Sequence, residues 1–167
     1  PLNPDFSWAC FESGTGITCQ GTFQNGPASD LSGIVCDGQE LTVTYEGFER
    51  MTRWHDAQGR ATKTIVHLDY PGDRFTLSAD GTGPAVTVAG HWNRHYTYGI
   101  PGDRSTRILT ERGAIYLVRG TDGRVILRDV GQVEFAPGAD FEEITRSPGQ
   151  HDLYGDWFVG FEAALCD

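Results

Sequence analysis

Between Val86 and Phe135, apolar and polar residues alternate in three long runs, the two-residue period of a half-buried β-strand. Ile100-Pro101-Gly102-Asp103 and Thr121-Asp122-Gly123-Arg124 separate the runs, and both are rich in turn formers. Asp122-Gly123 suits a two-residue type I′ turn, in which both central residues need φ > 0. That turn sets Val118 opposite Leu127, Tyr116 opposite Asp129 and Arg112 opposite Val133. Reading Pro101-Gly102-Asp103 as a three-residue connection pairs Ile100 with Arg104, hence Tyr96 with Ile108, Arg94 with Thr110 and Trp92 with Arg112. One face then collects Val86, Val88, Trp92, Arg94, Tyr96, Tyr98, Ile108, Arg112, Tyr116, Val118, Val125, Leu127, Asp129, Val133 and Phe135. It is mostly apolar but holds two arginines and an aspartate. The other face carries Leu109, Ile115, Leu117, Ile126 and Val130, an apolar strip that reads as the docking ground of a helix or as a homo-oligomer interface.

The same alternation extends to both sides. Ile17–Gln24 and Leu31–Asp37 predict a hairpin around residues 25–30, with the turn-rich residues 1–16 lying outside the body. Leu41–His55 and Arg60–Tyr70 predict a second, turning at Asp56-Ala57-Gln58-Gly59. Its inner face holds Leu41, Val43, Tyr45, Glu49, Met51 and Arg53 with Thr64, Val66, Leu68 and Tyr70. Pro71-Gly72-Asp73 predicts a bulge or bend, after which Phe75 and Leu77 resume the core face. Phe141–Arg146 is a short strand candidate. Asp152–Cys166 is the one helical stretch, with Asp152 as cap and Leu153, Trp157, Phe161, Ala164 and Leu165 on one stripe. About eight long strands in hairpin order predict an all-β protein, an up-and-down antiparallel β-barrel with a short C-terminal helix, as a single domain spanning 1–167. A β-sandwich is the alternative.

Composition narrows the partners. A hydrophobic share of 38% describes a globular chain, and a net charge of −10 excludes nucleic acid and anionic membrane surfaces as binding partners. No apolar run approaches the roughly 18 residues of a membrane span. The start at Pro1, without methionine, reads as a mature or trimmed form. Four cysteines read as two disulfides and a secreted, extracellular protein. In the predicted first hairpin Cys19 faces Cys36, which by elimination leaves Cys10 to join Cys166.

The candidate chemistry lies on the inward face. Glu49, Asp129, Arg94 and Arg112 are the charged groups turned inward, beside Tyr45, Trp92, Tyr96 and Tyr116 as ligand-binding candidates. A carboxylate in a low-dielectric pocket favours its protonated form and suits acid–base work, while an arginine holds an anion. Mutual Arg–carboxylate pairing is the competing interpretation. His91 and His95 fall about 13 Å apart on a strand, too far to share an ion, so no metal site and no cofactor are expected. Trp54, Trp92, Tyr96 and Tyr98 suggest a sugar-stacking platform or, more simply, core. The chain carries no Gly-x-Ser-x-Gly elbow, phosphate loop, Cys-x-x-Cys or Asn-x-Ser/Thr site.

Long meandering strands, a polar-spotted interior and cysteines that tie the ends resemble the allene oxide cyclase and dirigent barrels, with lipocalins a more distant comparison. The likeness covers roughly residues 17–146 by pattern and strand count. Where a lipocalin has Gly-x-Trp, this chain has Ser7-Trp8-Ala9. The resemblance implies a lumen that binds an apolar molecule or guides a cyclisation. The expectation is therefore a secreted barrel with a small, largely apolar ligand as its partner. A metal-independent cyclase or isomerase acting inside the barrel and a carbohydrate-binding module are the alternatives. Whether the protein is an enzyme is left open.

Overall fold

The computed structural model describes residues 2–14, 16–139, 141–152 and 157–166, with side chains in the last segment from Glu162 onward. The described residues form an antiparallel sheet: β1 (Ser7–Ser13), β2 (Gly16–Cys36), β3 (Gln39–His55), β4 (Ala61–Thr76), β5 (Val86–Tyr98), β6 (Arg107–Arg119), β7 (Val125–Phe135), β8 (Ile144–Arg146) and β9 (Gly149–His151). Strand order follows the chain from β1 to β8, and β9 also pairs with β7. The fold is all-β and up-and-down, as the alternation predicts. Among the described residues no hydrogen bonds join β8 back to β1, a topology that both a barrel and a sandwich allow.

The sheet wraps around one concave face. Cys19 of β2 and Tyr98 and Arg107 of β5 and β6 line one cavity although their strands are not neighbours. One apolar cluster joins Ile34, Cys36, Leu41, Val86, Val88 and Val118 to Leu165 of the helix α1 (Trp157–Cys166). The other joins Val66, Leu68, Trp92, Leu109, Ile115, Val133 and Phe135. So α1 closes the strand ends near Cys36 and Val118, and the turns β1–β2, β3–β4 and β5–β6 lie at the other end.

Several local expectations change. β2 is one strand of 21 residues, not a hairpin at 25–30, and it follows β3 throughout with shifts at Asn25/Ala28 and Leu31/Val35. β1 is paired along β2, so Cys10 faces Cys19 and bonds to it, with Cα atoms 4.1 Å apart. Cys36 joins Cys166, at 5.2 Å. The predicted pairing Cys19–Cys36 and Cys10–Cys166 fails because one continuous strand carries Cys19 and Cys36 far apart. The type I′ geometry appears at Asp37-Gly38, where both φ are positive, 50° and 81°. At Asp122-Gly123 only the glycine is left-handed, with φ 80°, and Gly120 pairs with Arg124 around a three-residue loop. A shift between Val118 and Arg119 then restores Val118 opposite Leu127 and Tyr116 opposite Asp129.

Two irregularities redirect β6. The loop after β5 contains a 3-10 turn, Arg104–Thr106, which moves the pairing by one residue, so Tyr96 faces Leu109 and Arg94 faces Glu111. Ile115 is an extra residue between Ala114 and Tyr116, a β-bulge that reverses which side chains face inward. Leu109 and Glu111 are therefore buried and Arg112 is exposed, opposite to expectation. Ile115, expected on the outer strip with Leu109, is also buried, while Ile126 and Val130 are exposed. The helix packs at the strand ends, not on that strip.

The face shared by β3 and β4 holds from Glu49 to Arg53, beyond the register shift between Thr44 and Phe48, but Tyr45, on the other side of that shift, bonds to exposed Asp30 instead of facing inward. Arg53 faces Thr64, Met51 faces Val66 and Glu49 faces Leu68, a register two residues from the predicted one and hence of the same parity. The bend at Pro71-Gly72 is present between Tyr70 and Asp73. Phe75 packs on the core but Leu77 is exposed. β8 is confined to three residues of the predicted 141–146 strand. The Asp152 carboxylate accepts the Arg128 N–H, and the residues between it and α1, on which its predicted role as cap depends, lie outside the described residues. Leu153 lies outside the described residues, as do the side chains of Trp157 and Phe161.

Candidate functional site

A cavity of about 230 Å³ opens on the concave face, lined by Leu68, Val88, Trp92 and Ile115 on its apolar side and by Glu49, Tyr70, Asp73, Arg94 and Tyr116 on its polar side. A smaller one of about 150 Å³ shares Glu49 and Arg94 with it and adds Met51, Arg53, Tyr96, Tyr98 and Arg107. Alternation on β3, β4 and β5 delivers Glu49, Leu68, Trp92 and Arg94 to one side of the sheet; the Ile115 bulge adds Tyr116 from β6.

Most charged groups on this wall are held by neighbours. The Glu111 carboxylate is almost fully buried and accepts from Arg94 Nε at 2.6 Å and Trp92 Nε1 at 3.1 Å through the same oxygen. Burial works against the Arg94 charge, but Glu111 beside it outweighs that effect and raises its pKa. The Arg94 guanidinium also lies 5.1 Å from the Phe141 ring centroid. Tyr70 donates its hydroxyl to Glu49 at 2.7 Å; burial and then Glu49 push that phenol up to about 12. Tyr116 is likewise raised to about 12, mainly by burial.

Asp73 differs. Burial raises its pKa to about 6, opposed only by a hydrogen bond from the Glu46 N–H, and its Oδ1 is buried with no hydrogen-bond partner. The bend between Tyr70 and Asp73 is what turns this carboxyl toward the cavity.

Of the predicted catalytic set, Glu49 and Arg94 line the cavity, Asp129 is buried beside His151 (Oδ1 to Nδ1 3.2 Å) and Arg112 is on the surface. Arg94 does not pair with Asp129. Trp92, Tyr96 and Tyr116 line cavities; Tyr45 instead donates to Asp30 at 2.9 Å and lines neither. Trp54 stacks with Lys63, 5.3 Å from ring centroid to Nζ, on the opposite side of β3 from Arg53, so it forms no platform with Trp92. Among the described residues no group of three metal-ligating side chains gathers, and His91 lies by Asp69 at 3.5 Å on the surface. Sequence reasoning missed Glu111, Tyr70 and Asp73 as site residues. Glu111 carried no signal, because its slot alternates outward until the bulge is known. The Pro-Gly-Asp bend was the available signal for Asp73.

No protein-family model matches the chain, and no solved structure matches it significantly. No described helix is long and apolar enough to cross a membrane.

Proposed function

We propose that the concave cavity binds a small, largely apolar molecule carrying one hydrogen-bond donor, in a secreted protein. The observation that carries this reading is Asp73: a half-buried carboxyl whose Oδ1 has no hydrogen-bond partner, on a wall facing Leu68, Val88, Trp92 and Ile115. An unsatisfied acceptor costs about 1–3 kcal/mol, which a ligand N–H or O–H recovers. A dry cavity of about 150 Å³ holds benzene, so about 230 Å³ suits a one-ring body with a short substituent. Two disulfides support the extracellular assignment.

The second reading, an isomerase or cyclase acting without metal, draws on the same group. A carboxyl with a pKa near 6 exchanges protons readily near neutral pH. Denaturing extraction of purified protein with mass spectrometry, followed by tryptophan-fluorescence titration with one-ring alcohols and amines, separates the cases. Recovery of the ligand unchanged supports binding; a rearranged product supports turnover. Val88→Phe, which fills the cavity, is expected to abolish either. Binding that survives Val88→Phe, or an empty extract with no compound bound at millimolar concentration, rules the site out.

A further inference from the structure

The inner face of β3, β4 and β5 is built in cross-strand rows: Glu49, Leu68 and Trp92 in the first, Met51, Val66 and Arg94 in the second, Arg53, Thr64 and Tyr96 in the third. The whole first row lines the larger cavity, and the whole third row lines the smaller one together with Met51 and Val66. The two cavities therefore follow one another along the strands, with Glu49 and Arg94 between them as lining common to both. Both of these side chains are anchored, Glu49 by the Tyr70 hydroxyl and Arg94 by Glu111, so the neck keeps its shape.

Past that neck the lining changes character. Met51 and Val66 are apolar, and the other seven residues described around the smaller cavity carry polar groups. On β4 the inward slots run Thr64, Val66, Leu68, so a single hydroxyl interrupts an apolar series. Thr64 is 2% exposed, and its Oγ1 is buried with no hydrogen-bond partner. A buried hydroxyl in that state is unfavourable, and a donor or acceptor delivered into the cavity removes the penalty.

We propose that the two cavities are chambers of one site and that its ligand is elongated and polar at both ends: an apolar ring in the larger chamber, and a tail through the neck that ends in a hydroxyl or carbonyl bound by Thr64 Oγ1. The inference rests on the reading of the larger cavity as a binding site and adds a second anchor to Asp73. Thr64 and Asp73 pair with Tyr96 and Val88, eight positions apart on β5. At ~3.3 Å per residue the backbone at the two anchors is at most about 26 Å apart. The apolar part of the ligand lies between them, against Leu68, Val88, Trp92 and Ile115. A threonine hydroxyl both donates and accepts, so an alcohol or a carbonyl satisfies it and a methyl group does not.

The test is calorimetric titration of the full chain with 4-(ω-hydroxyalkyl)phenols of increasing chain length, each beside the 4-alkylphenol of equal length, and with 4-methylphenol as the short probe. Every probe offers its phenol O–H to Asp73, so 4-methylphenol reports on the larger chamber alone. Once the tail is long enough to reach Thr64, the terminal hydroxyl is expected to tighten binding about two- to tenfold over the methyl-ended partner, the worth of one hydrogen bond. Shorter tails are expected to show no such ratio. In Thr64→Val, which removes the hydroxyl at little change of shape, the ratio is expected to fall to about one. Circular dichroism establishes that the variant is folded. If 4-methylphenol binds while no tail length shows the ratio, or the ratio persists in Thr64→Val, the second chamber is overturned and the reading of the larger one stands. Failure of every probe, 4-methylphenol included, overturns both.

Discussion

Replacing Arg94 or Glu111 singly should destabilise the protein far more than replacing both. The Glu111 carboxylate is 1% exposed and its Oε1 accepts from both Arg94 Nε and Trp92 Nε1. Removing one member of a buried ion pair typically costs about 3–5 kcal/mol, because the other charge is left in a poor solvent. The Arg94 side chain retains 27% of its exposure, so water compensates part of its loss and the lower end, about 3 kcal/mol, applies to Glu111→Leu. Arg94→Met removes the cation from the more deeply buried partner, whose Oε1 still accepts from Trp92 Nε1, and should cost about 4–5 kcal/mol. The double variant Arg94→Met/Glu111→Leu removes both charges and should recover at least about 2 kcal/mol of the summed loss, since apolar replacement of a buried pair is often close to neutral. Urea unfolding followed by circular dichroism, with the m-value checked for constancy, gives the cycle. Against a typical domain stability of about 5–15 kcal/mol these are large effects. Single variants that each cost under about 1 kcal/mol, or a strictly additive double, would refute the buried pair and the β6 register that creates it. The cycle has an internal control: Arg94 and Asp129 are both turned inward by the sequence pattern but are not paired in the structure, so Arg94→Met/Asp129→Asn should show much weaker coupling.

Two further outcomes follow from the disulfides and from Asp73. Chain-entropy arguments assign about 5 kcal/mol to Cys36–Cys166, which closes a separation of 130 residues, and about 3 kcal/mol to Cys10–Cys19, with a separation of 9; thermal unfolding of the two paired Cys→Ala variants should rank them so, and non-reducing peptide mapping checks the connectivity. Asp73 has a folded pKa raised from 3.8 to about 6, so the folded state binds more protons than the unfolded one and stability falls as pH rises through that window. Two units correspond to about 2.7 kcal/mol, reduced to about 1–2 by solvent screening of a half-exposed group. Asp73→Asn should therefore be more stable than the parent at pH 7.5 and equal to it near pH 3.5, measured by urea unfolding; equal stability at both pH values would contradict the raised pKa.

Side-chain alternation alone determined the fold class, the strand spans of β3 to β7 and the inner face of β3 from Glu49 to Arg53 with its β4 partners, because burying one face of a strand requires only a period of two. It placed Glu49, Trp92, Arg94 and Tyr116 on the concave side, and the Pro-Gly-Asp bend marked where β4 shifts register. Tertiary structure decided the rest. Asp-Gly is compatible with two turn types, and Asp37-Gly38 and Asp122-Gly123 adopt different ones in this one chain. A single inserted residue, Ile115, exchanged Arg112 for Glu111 in the interior. Nothing local announces that bulge, since Ala114, Ile115 and Tyr116 all suit a regular strand. Likewise Asn25-Gly26-Pro27 reads as a turn, but pairing with β3 on both sides of it carries β2 straight on, and with it the disulfide partners. Parity errors of this kind change no residue's propensity. They change only which neighbour it meets, and that depends on strands far away in the chain.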